Sequence, residues 1–383
     1  MSGPAGQLKV CTFLGTRPEI IRLSRVMALL DAHTEHTVVH TGQNYDYELN
    51  GVFFDSMGIR KPDRFLEVDT SSLGTVLGET LIKSEQVLIE KQPDAFLVLG
   101  DTNSSIAALI AKRRHIPVFH MEAGNRCFDF NVPEETNRRL VDHIADFNLV
   151  YTEHARRHLL SEGCAHRRIL LTGSPMREVL EFHEKGIAES VILKDLDVRP
   201  KEYLVVSVHR EENVDGEKNL VSILNTLSAL ENRYNLPIIV STHPRTRKRL
   251  DMLRSKPELP KVQWCKPFGF FDYVRLQKDA FCTVSDSGTI SEESAILNFP
   301  GVTIRNAIER PEALDTGSII LAGVDPLSVL RSVDVAVAEA RERTEWSIPE
   351  GYTIRDTSWR VLKALTGLSQ LSNRWHGIEN PSL

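Results

Sequence analysis

What this chain lacks narrows its class before any motif is read. Across 383 residues no apolar run approaches the roughly 18 needed to span a membrane, so no membrane protein is expected. The opening residues, Met1–Gln7, carry neither the charged stretch nor the apolar core of a secretory signal and read as a loose leader before Leu8. Cysteine is scarce and odd in number (Cys11, Cys127, Cys164, Cys265, Cys282), with no C-x-x-C pair. That excludes a disulfide framework or zinc knuckle and fits reduced thiols in a cytoplasm. Basic charge is not in excess: 46 Lys+Arg against 52 Asp+Glu leave a net charge of -6, with no basic field to recommend a nucleic-acid partner. G-x-G-x-x-G and G-x-x-x-x-G-K-[ST] loops are absent, so neither a dinucleotide site nor a P-loop is signalled. No G-x-S-x-G elbow marks a hydrolase, and no H-E-x-x-H spacing marks a metal, so none is assigned.

What is present is a globular composition, 41% hydrophobic and 26% charged, in a chain long enough for two domains at about 150 residues each. Short apolar runs alternate with helical patterns. The first series of strands reads Lys9–Leu14, Thr37–Thr41, Ala95–Leu99, Val118–Met121, Asn148–Tyr151 and Ile169–Thr172. After Pro200 a second series reads Leu204–Val208, Ile238–Thr242, Gln263–Cys265, Phe281–Ser285, Val302–Ile304 and Ile319–Leu321. Continuous apolar runs of this length suit parallel strands covered on both faces. Two β-α-β series predict an α/β protein of two doubly wound, Rossmann-like domains. The break is placed at Gly173, giving domains 1–173 and 174–356, with a C-terminal helix over 357–383 packing back on the first.

Ligands of such sheets lie beyond the carboxyl ends of the strands, and there polar residues gather in both series. The site is expected in the cleft between the two domains. Gly15-Thr16-Arg17-Pro18-Glu19 puts Arg17 at a first helical turn, either reaching for an anion or closing its own loop. Asp286–Glu293 offers a tight turn at Ser287-Gly288-Thr289 whose backbone N–H groups suit a phosphate, although Thr289-x-x-Glu292 also fits an ordinary capping box. Asp101, Glu122 and the pair Glu134–Glu135 are candidate acid/base carboxylates. His209 closes a strand ahead of Arg210 and reads equally as a phosphate donor or a structural imidazole. Arg310, before Pro311-Glu312, is a weak further anion contact. The stretch Asn125–Arg138 has no apolar period and reads as a loop folding over the site.

Taken in order, Gly15–Glu19, Gly100–Thr102, Glu122–Gly124, Pro133–Arg138, Asp286–Glu293 and Glu309–Ala313 make the chain resemble the non-hydrolysing UDP-N-acetylglucosamine 2-epimerase family, over about Lys9 to Gly323. The resemblance implies a glycosyltransferase-B-like fold, a homodimer and a UDP-N-acetylhexosamine substrate, with UDP leaving and returning and no cofactor or metal. It places Asp101, Glu122 and Glu134 at acid/base positions. Arg17, Arg22, Arg138 and His209 fall at diphosphate or sugar contacts, with His209 counted among the catalytic set. Ser287 and Gly288 match phosphate-binding positions, Glu293 a ribose-binding carboxylate and Arg310 a further substrate contact. Thr41–Asn50, Asn125–Asp129 and Thr242–Arg249 look closest to the branch forming UDP-N-acetyl-L-fucosamine for capsule or O-antigen synthesis. Two positions depart from the family pattern: Thr289 stands where many members carry glycine, and Asn44-Tyr45 replaces a common His-Arg beside an allosteric site of some relatives.

The chemistry implied is elimination and re-addition. The C2 proton of the sugar is not acidified by a carbonyl, so departure of UDP from C1 must first create an oxocarbenium-like centre. A carboxylate then removes the proton, leaving a 2-acetamidoglycal, and proton return to the other face inverts C2. Alternatives are UDP-GlcNAc/UDP-ManNAc epimerisation, release of free N-acetylmannosamine, a glycosyltransferase of the same fold, and an inactive UDP-sugar sensor.

Overall fold

The computed structural model describes residues 6–42, 54, 56–253, 257–343 and 347–378. Asn44-Tyr45 and most of the string Thr41–Asn50 lie outside the described residues. The chain divides into two compact units. One comprises 1–126, 132–181 and 350–383; the other comprises 127–131 and 182–349. The sequence reading broke the chain at Gly173, but the first unit keeps it through Glu181. Ser174 N–H donates to the Gly351 carbonyl (2.9 Å), Arg177 Nε to the Tyr352 carbonyl (2.9 Å), and Ser358 N–H to the Glu178 carboxylate (3.0 Å). The helix Thr357–Trp375 belongs to the first unit, and its Ser372 donates to Asp146 Oδ1 (2.8 Å).

The first unit holds a seven-stranded parallel sheet in the order β3-β2-β1-β4-β5-β6-β7. Its strands are β1 (Lys9–Leu14), β2 (Glu35–His40), β3 (Arg64–Phe65), β4 (Ala95–Leu99), β5 (Val118–Met121), β6 (Phe147–Val150) and β7 (Ile169–Leu171). β1 pairs with both β2 and β4, so the winding direction reverses between β1 and β4, where doubly wound sheets place their ligands. The second unit repeats the plan in six parallel strands, ordered β10-β9-β8-β11-β12-β13. These are β8 (Leu204–Val208), β9 (Ile238–Thr242), β10 (Val262–Cys265), β11 (Cys282–Ser285), β12 (Gly301–Thr303) and β13 (Ile320–Leu321). Here the reversal falls between β8 and β11. β4 (Ala-Phe-Leu-Val-Leu) is buried at every position, as expected of a strand sandwiched between helices.

Three local expectations change. β3, two exposed residues on the sheet edge, carries too short a pattern to read. The stretch Asn125–Arg138 is not one loop, because Pro133 starts a helix running to Ile144. That helix buries Glu135, Arg138, Val141 and Asp142, so its inner face is mostly charged and has no apolar period. Finally, Thr289 is the N-cap residue of the helix Ile290–Leu297 but makes no capping bond through its side chain, and Glu292 pairs instead with Arg310. Among the described residues no helix is long and apolar enough to cross a membrane.

Candidate active site

In the first unit the expected residues stand at the ends of β1, β4 and β5. The helix Arg17–His33 follows β1 directly, with Arg17 half-buried at its first position and Pro18 next. Glu19, buried one turn in, was read only as part of a motif. Its carboxylate accepts from Gly15 N–H (3.0 Å), Thr16 N–H (2.7 Å), Thr102 Oγ1 (3.0 Å) and Ser104 Oγ (2.6 Å). It therefore ties the turn after β1 to the turn after β4. Burial pushes the Glu19 carboxyl above its ordinary range against these hydrogen bonds, which favour its charge. The spacing Thr16-x-x-Glu19 is the local signal that exposes this role. Gly15 permits the close approach, since a Cβ there would lie 2.3 Å from Thr41 Oγ1.

Asp101 follows Gly100, whose φ of 72° is in the left-handed region. Its Oδ2 accepts from Arg138 Nε (3.0 Å) and Nη2 (2.6 Å), while its backbone carbonyl accepts from Asn137 Nδ2 (3.0 Å). Glu122, one residue beyond β5, is partly buried and ion-paired to the buried Arg22 of the first helix. Glu122 also sits at φ 61°, a conformation that costs a non-glycine residue about 1–3 kcal/mol and clusters at functional sites. β4 and β5 are adjacent, with Leu99 opposite Met121, so Asp101 and Glu122 emerge from neighbouring strand ends. The Glu134–Glu135 pair divides. Glu135 is buried between Arg138 Nη1 (2.9 Å) and Arg139 Nε (3.0 Å), whereas Glu134 is half-buried in the same first turn.

In the second unit the end of β8 and the end of β11 are joined by Asp286, which the sequence reading passed over. It is fully buried and accepts from His209 N–H (3.1 Å), Arg210 N–H (3.0 Å) and Asn213 Nδ2 (3.1 Å), with His209 Nδ1 3.0 Å from its Oδ1. Burial alone would raise the Asp286 carboxyl, but the charge and hydrogen bond of His209 and the other donors prevail and bring it down to about 2. His209 is thus half-buried at the strand end with one ring nitrogen engaged. In the next turn, Ser287 N–H donates to Ser285 Oγ (3.0 Å) and the hydroxyls of Ser287 and Thr289 lie 3.0 Å apart. A Cβ on Gly288 would stand 3.1 Å from Arg310 Nη1 and 3.4 Å from Arg210 Nη2, so two guanidinium groups crowd this turn. Arg310 is buried, with Nε 3.3 Å from Glu292 Oε2, and Arg210 Nη2 is 3.5 Å from Glu309 Oε1. Arg210 is the cation that sequence reasoning left out. Glu293 is buried and accepts from Gln277 Nε2 (2.7 Å).

Each unit therefore has its own chemical character. The first presents carboxylates fixed by arginines. The second presents a backbone turn at a helix N-terminus flanked by Arg210, Arg310 and His209, an arrangement suited to a phosphate anion.

Comparison with known proteins finds a family model and solved structures of the same fold. The sequence model of the family described as UDP-N-acetylglucosamine 2-epimerase matches residues 28–366. The structure of UDP-N-acetylglucosamine 2-epimerase from Rickettsia bellii is 46% identical, covering 97% of this chain and 100% of its own at a TM-score of 0.91. The Methanocaldococcus jannaschii UDP-GlcNAc 2-epimerase, solved in complex with UDP-GlcNAc and UDP, is 32% identical, covering 94% of this chain and 99% of its own, with a TM-score of 0.87. A relative from Pseudomonas aeruginosa, UDP-2,3-diacetamido-2,3-dideoxy-D-glucuronate 2-epimerase, is 32% identical over 82% of this chain and 88% of its own.

Proposed function

The chain belongs to the UDP-N-acetylglucosamine 2-epimerase family, and from that membership we propose that it inverts C2 of a UDP-N-acetylhexosamine by eliminating UDP and adding it back. The observation that carries the mechanism is the pair of arginine-held carboxylates, Asp101 and Glu122, at adjacent strand ends. The C1–O bond breaks with its electrons going to UDP. The diphosphate charge is taken up by the Ser287-Gly288 turn, Arg210, Arg310 and His209. Arg17 adds a cation from the first helix, and Glu293 accepts from the ribose hydroxyls. A carboxylate of the set Asp101, Glu122 and Glu134 takes the C2 proton, forming the glycal. A second member of the set returns a proton to the opposite face, and UDP re-adds at C1. Arg22 and Arg138 hold two of the carboxylates in place. The enzyme works as a cytoplasmic homodimer.

The substrate pair is UDP-2-acetamido-2,6-dideoxy-L-talose and UDP-N-acetyl-L-fucosamine, a precursor of surface polysaccharide. This choice rests on the strings Asn125–Asp129 and Thr242–Arg249 together with Thr41–Asn50. The complex of the M. jannaschii relative favours a second reading, the UDP-GlcNAc/UDP-ManNAc pair. Incubating both substrates in D2O separates all the readings. Deuterium at C2 of intact nucleotide sugar, faster with the 6-deoxy pair, is the expected result. Exchange only with UDP-GlcNAc establishes the second reading. UDP release without C2 exchange in the nucleotide sugar points to transfer or hydrolysis and overturns the epimerase mechanism.

A further inference from the structure

The turn that carries Asp101 begins and ends a closed circuit of alternating charges, part of it wholly buried. From Asp101 the circuit passes to Arg138 (2.6 Å), to Glu135 (2.9 Å) and on to Arg139 (3.0 Å). Arg139 then reaches Glu162 (3.1 Å), which pairs with Arg126 (2.6 Å), and Arg126 with Asp142 (2.6 Å). Asp142 Oδ1 is 2.9 Å from His120 Nδ1, and His120 Nε2 is 2.7 Å from the carbonyl of Gly100, the residue before Asp101. The sign alternates at each step. His120, Asp142 and the Arg126 side chain are wholly buried, and the ring of the half-exposed His143 also reaches the circuit, 3.1 Å from Glu162 Oε2. The same Asp142 accepts from Gly124 N–H (3.2 and 3.1 Å), which closes the Glu122-Ala123-Gly124 turn. One buried pair thus holds the turns of two candidate acid/base carboxylates.

The hydrogen-bond roles fix the proton count. A backbone carbonyl can only accept, so His120 Nε2 carries a hydrogen. Asp142 already takes donors from Arg126 and Gly124, so it faces Nδ1 as a carboxylate and Nδ1 carries a hydrogen too. We propose that His120 donates from both ring nitrogens and that His120 and Asp142 are the positioning pair that sets Asp101 and Glu122 for proton transfer at C2. The kinetic part rests on the epimerase reading, whereas the donor assignment does not.

The full chain labelled with 15N-histidine tests both. The His120 resonances, identified by their loss in His120→Asn, are expected to show a hydrogen on both Nδ1 and Nε2 at pH 7. A ring with one bare nitrogen at that pH overturns the donor assignment, whatever the enzyme does. In steady-state assays His120→Asn, which cannot reach the Gly100 carbonyl, is expected to lower kcat by about 10- to 100-fold with KM changed less than about threefold. His120→Gln, whose amide can reach it, is expected to recover part of kcat. Folded variants with wild-type kcat, or with equal losses in both, overturn the positioning role. A wild-type chain inactive on every UDP-N-acetylhexosamine instead removes the functional reading and leaves the resonance result standing.

Discussion

The carboxyl ends of the two sheets solve opposite electrostatic problems. In the first unit the candidate groups at the strand ends are acids, Asp101 and Glu122, held by Arg138 and Arg22. In the second the groups offered are cations and backbone N–H, and the protein spends a buried acid, Asp286, on holding His209 and Arg210. On the proposed function, one scaffold, wound twice, becomes a proton-handling surface or an anion-binding surface according to which sign is buried and which is left at the strand end. A net charge of -6 therefore says little about a dianionic ligand, because the cations are placed one by one.

Four substitutions break or sharpen this contrast. The largest effect is expected from Asp101→Asn, which keeps the shape of the side chain but not its basicity. We expect kcat to fall by about 10²–10⁴-fold with KM nearly unchanged, measured by C2 exchange and product formation. Asp286→Asn is expected to behave in the opposite way. With His209 and Arg210 no longer anchored on a carboxylate, KM for the nucleotide sugar should rise by about 10- to 100-fold, at a binding cost of about 1.5–3 kcal/mol. Equal effects of the two variants on kcat would erase the distinction between the units.

The units also differ toward acid. Burial holds the His40 imidazole, at the end of β2, down to about 4 from 6.5. Its folded value is depressed, so its neutral form is fully accommodated above pH 6.5, and stability is lost as pH falls toward 4. The loss is about 3 kcal/mol relative to His40→Asn at the two ends of that window. The raised Glu19 carboxyl works the other way, which is why the difference between the two proteins isolates His40. Asp286, down to about 2 from 3.8, contributes about 2 kcal/mol that is present above pH 3.8 and lost only as pH falls through about 2. Denaturant titrations across pH should show the His40 difference well before the Asp286 contribution declines; a pH-independent difference contradicts the His40 assignment. The smallest effect is expected from Gly288→Ala. Its Cβ would press on Arg310 at 3.1 Å, and a rise in KM of about two- to fivefold is expected, with kcat preserved.

The sheets were legible because strands buried on both faces carry uninterrupted apolar runs. β1, β4, β5, β8 and β9 begin and end at the residues their sequences mark. Legibility ended where charge replaces apolar packing. The inner face of the helix Pro133–Ile144 is Glu135, Arg138 and Asp142 around a single Val141, so a hydrophobic period could not reveal it. His120 lies inside an apolar strand and reads there as filler, and its partners Gly100 and Asp142 come from other elements. Motifs placed Asp101, Glu122, His209 and Ser287-Gly288 at strand ends. That Arg138 faces Asp101 is a matter of how a helix packs against a strand end, and that Asp286 organises His209 is a fact of register between strands far apart in sequence.

The division of labour is tested most directly by the kinetic isotope effect on kcat with substrate deuterated at C2, measured for wild type, Asp101→Asn and Gly288→Ala. Weakening the proton-handling unit should make C2–H cleavage limiting, so Asp101→Asn should raise the effect toward its full primary value while Gly288→Ala leaves the wild-type value unchanged. An isotope effect insensitive to Asp101→Asn, or raised alike by both substitutions, would contradict the account.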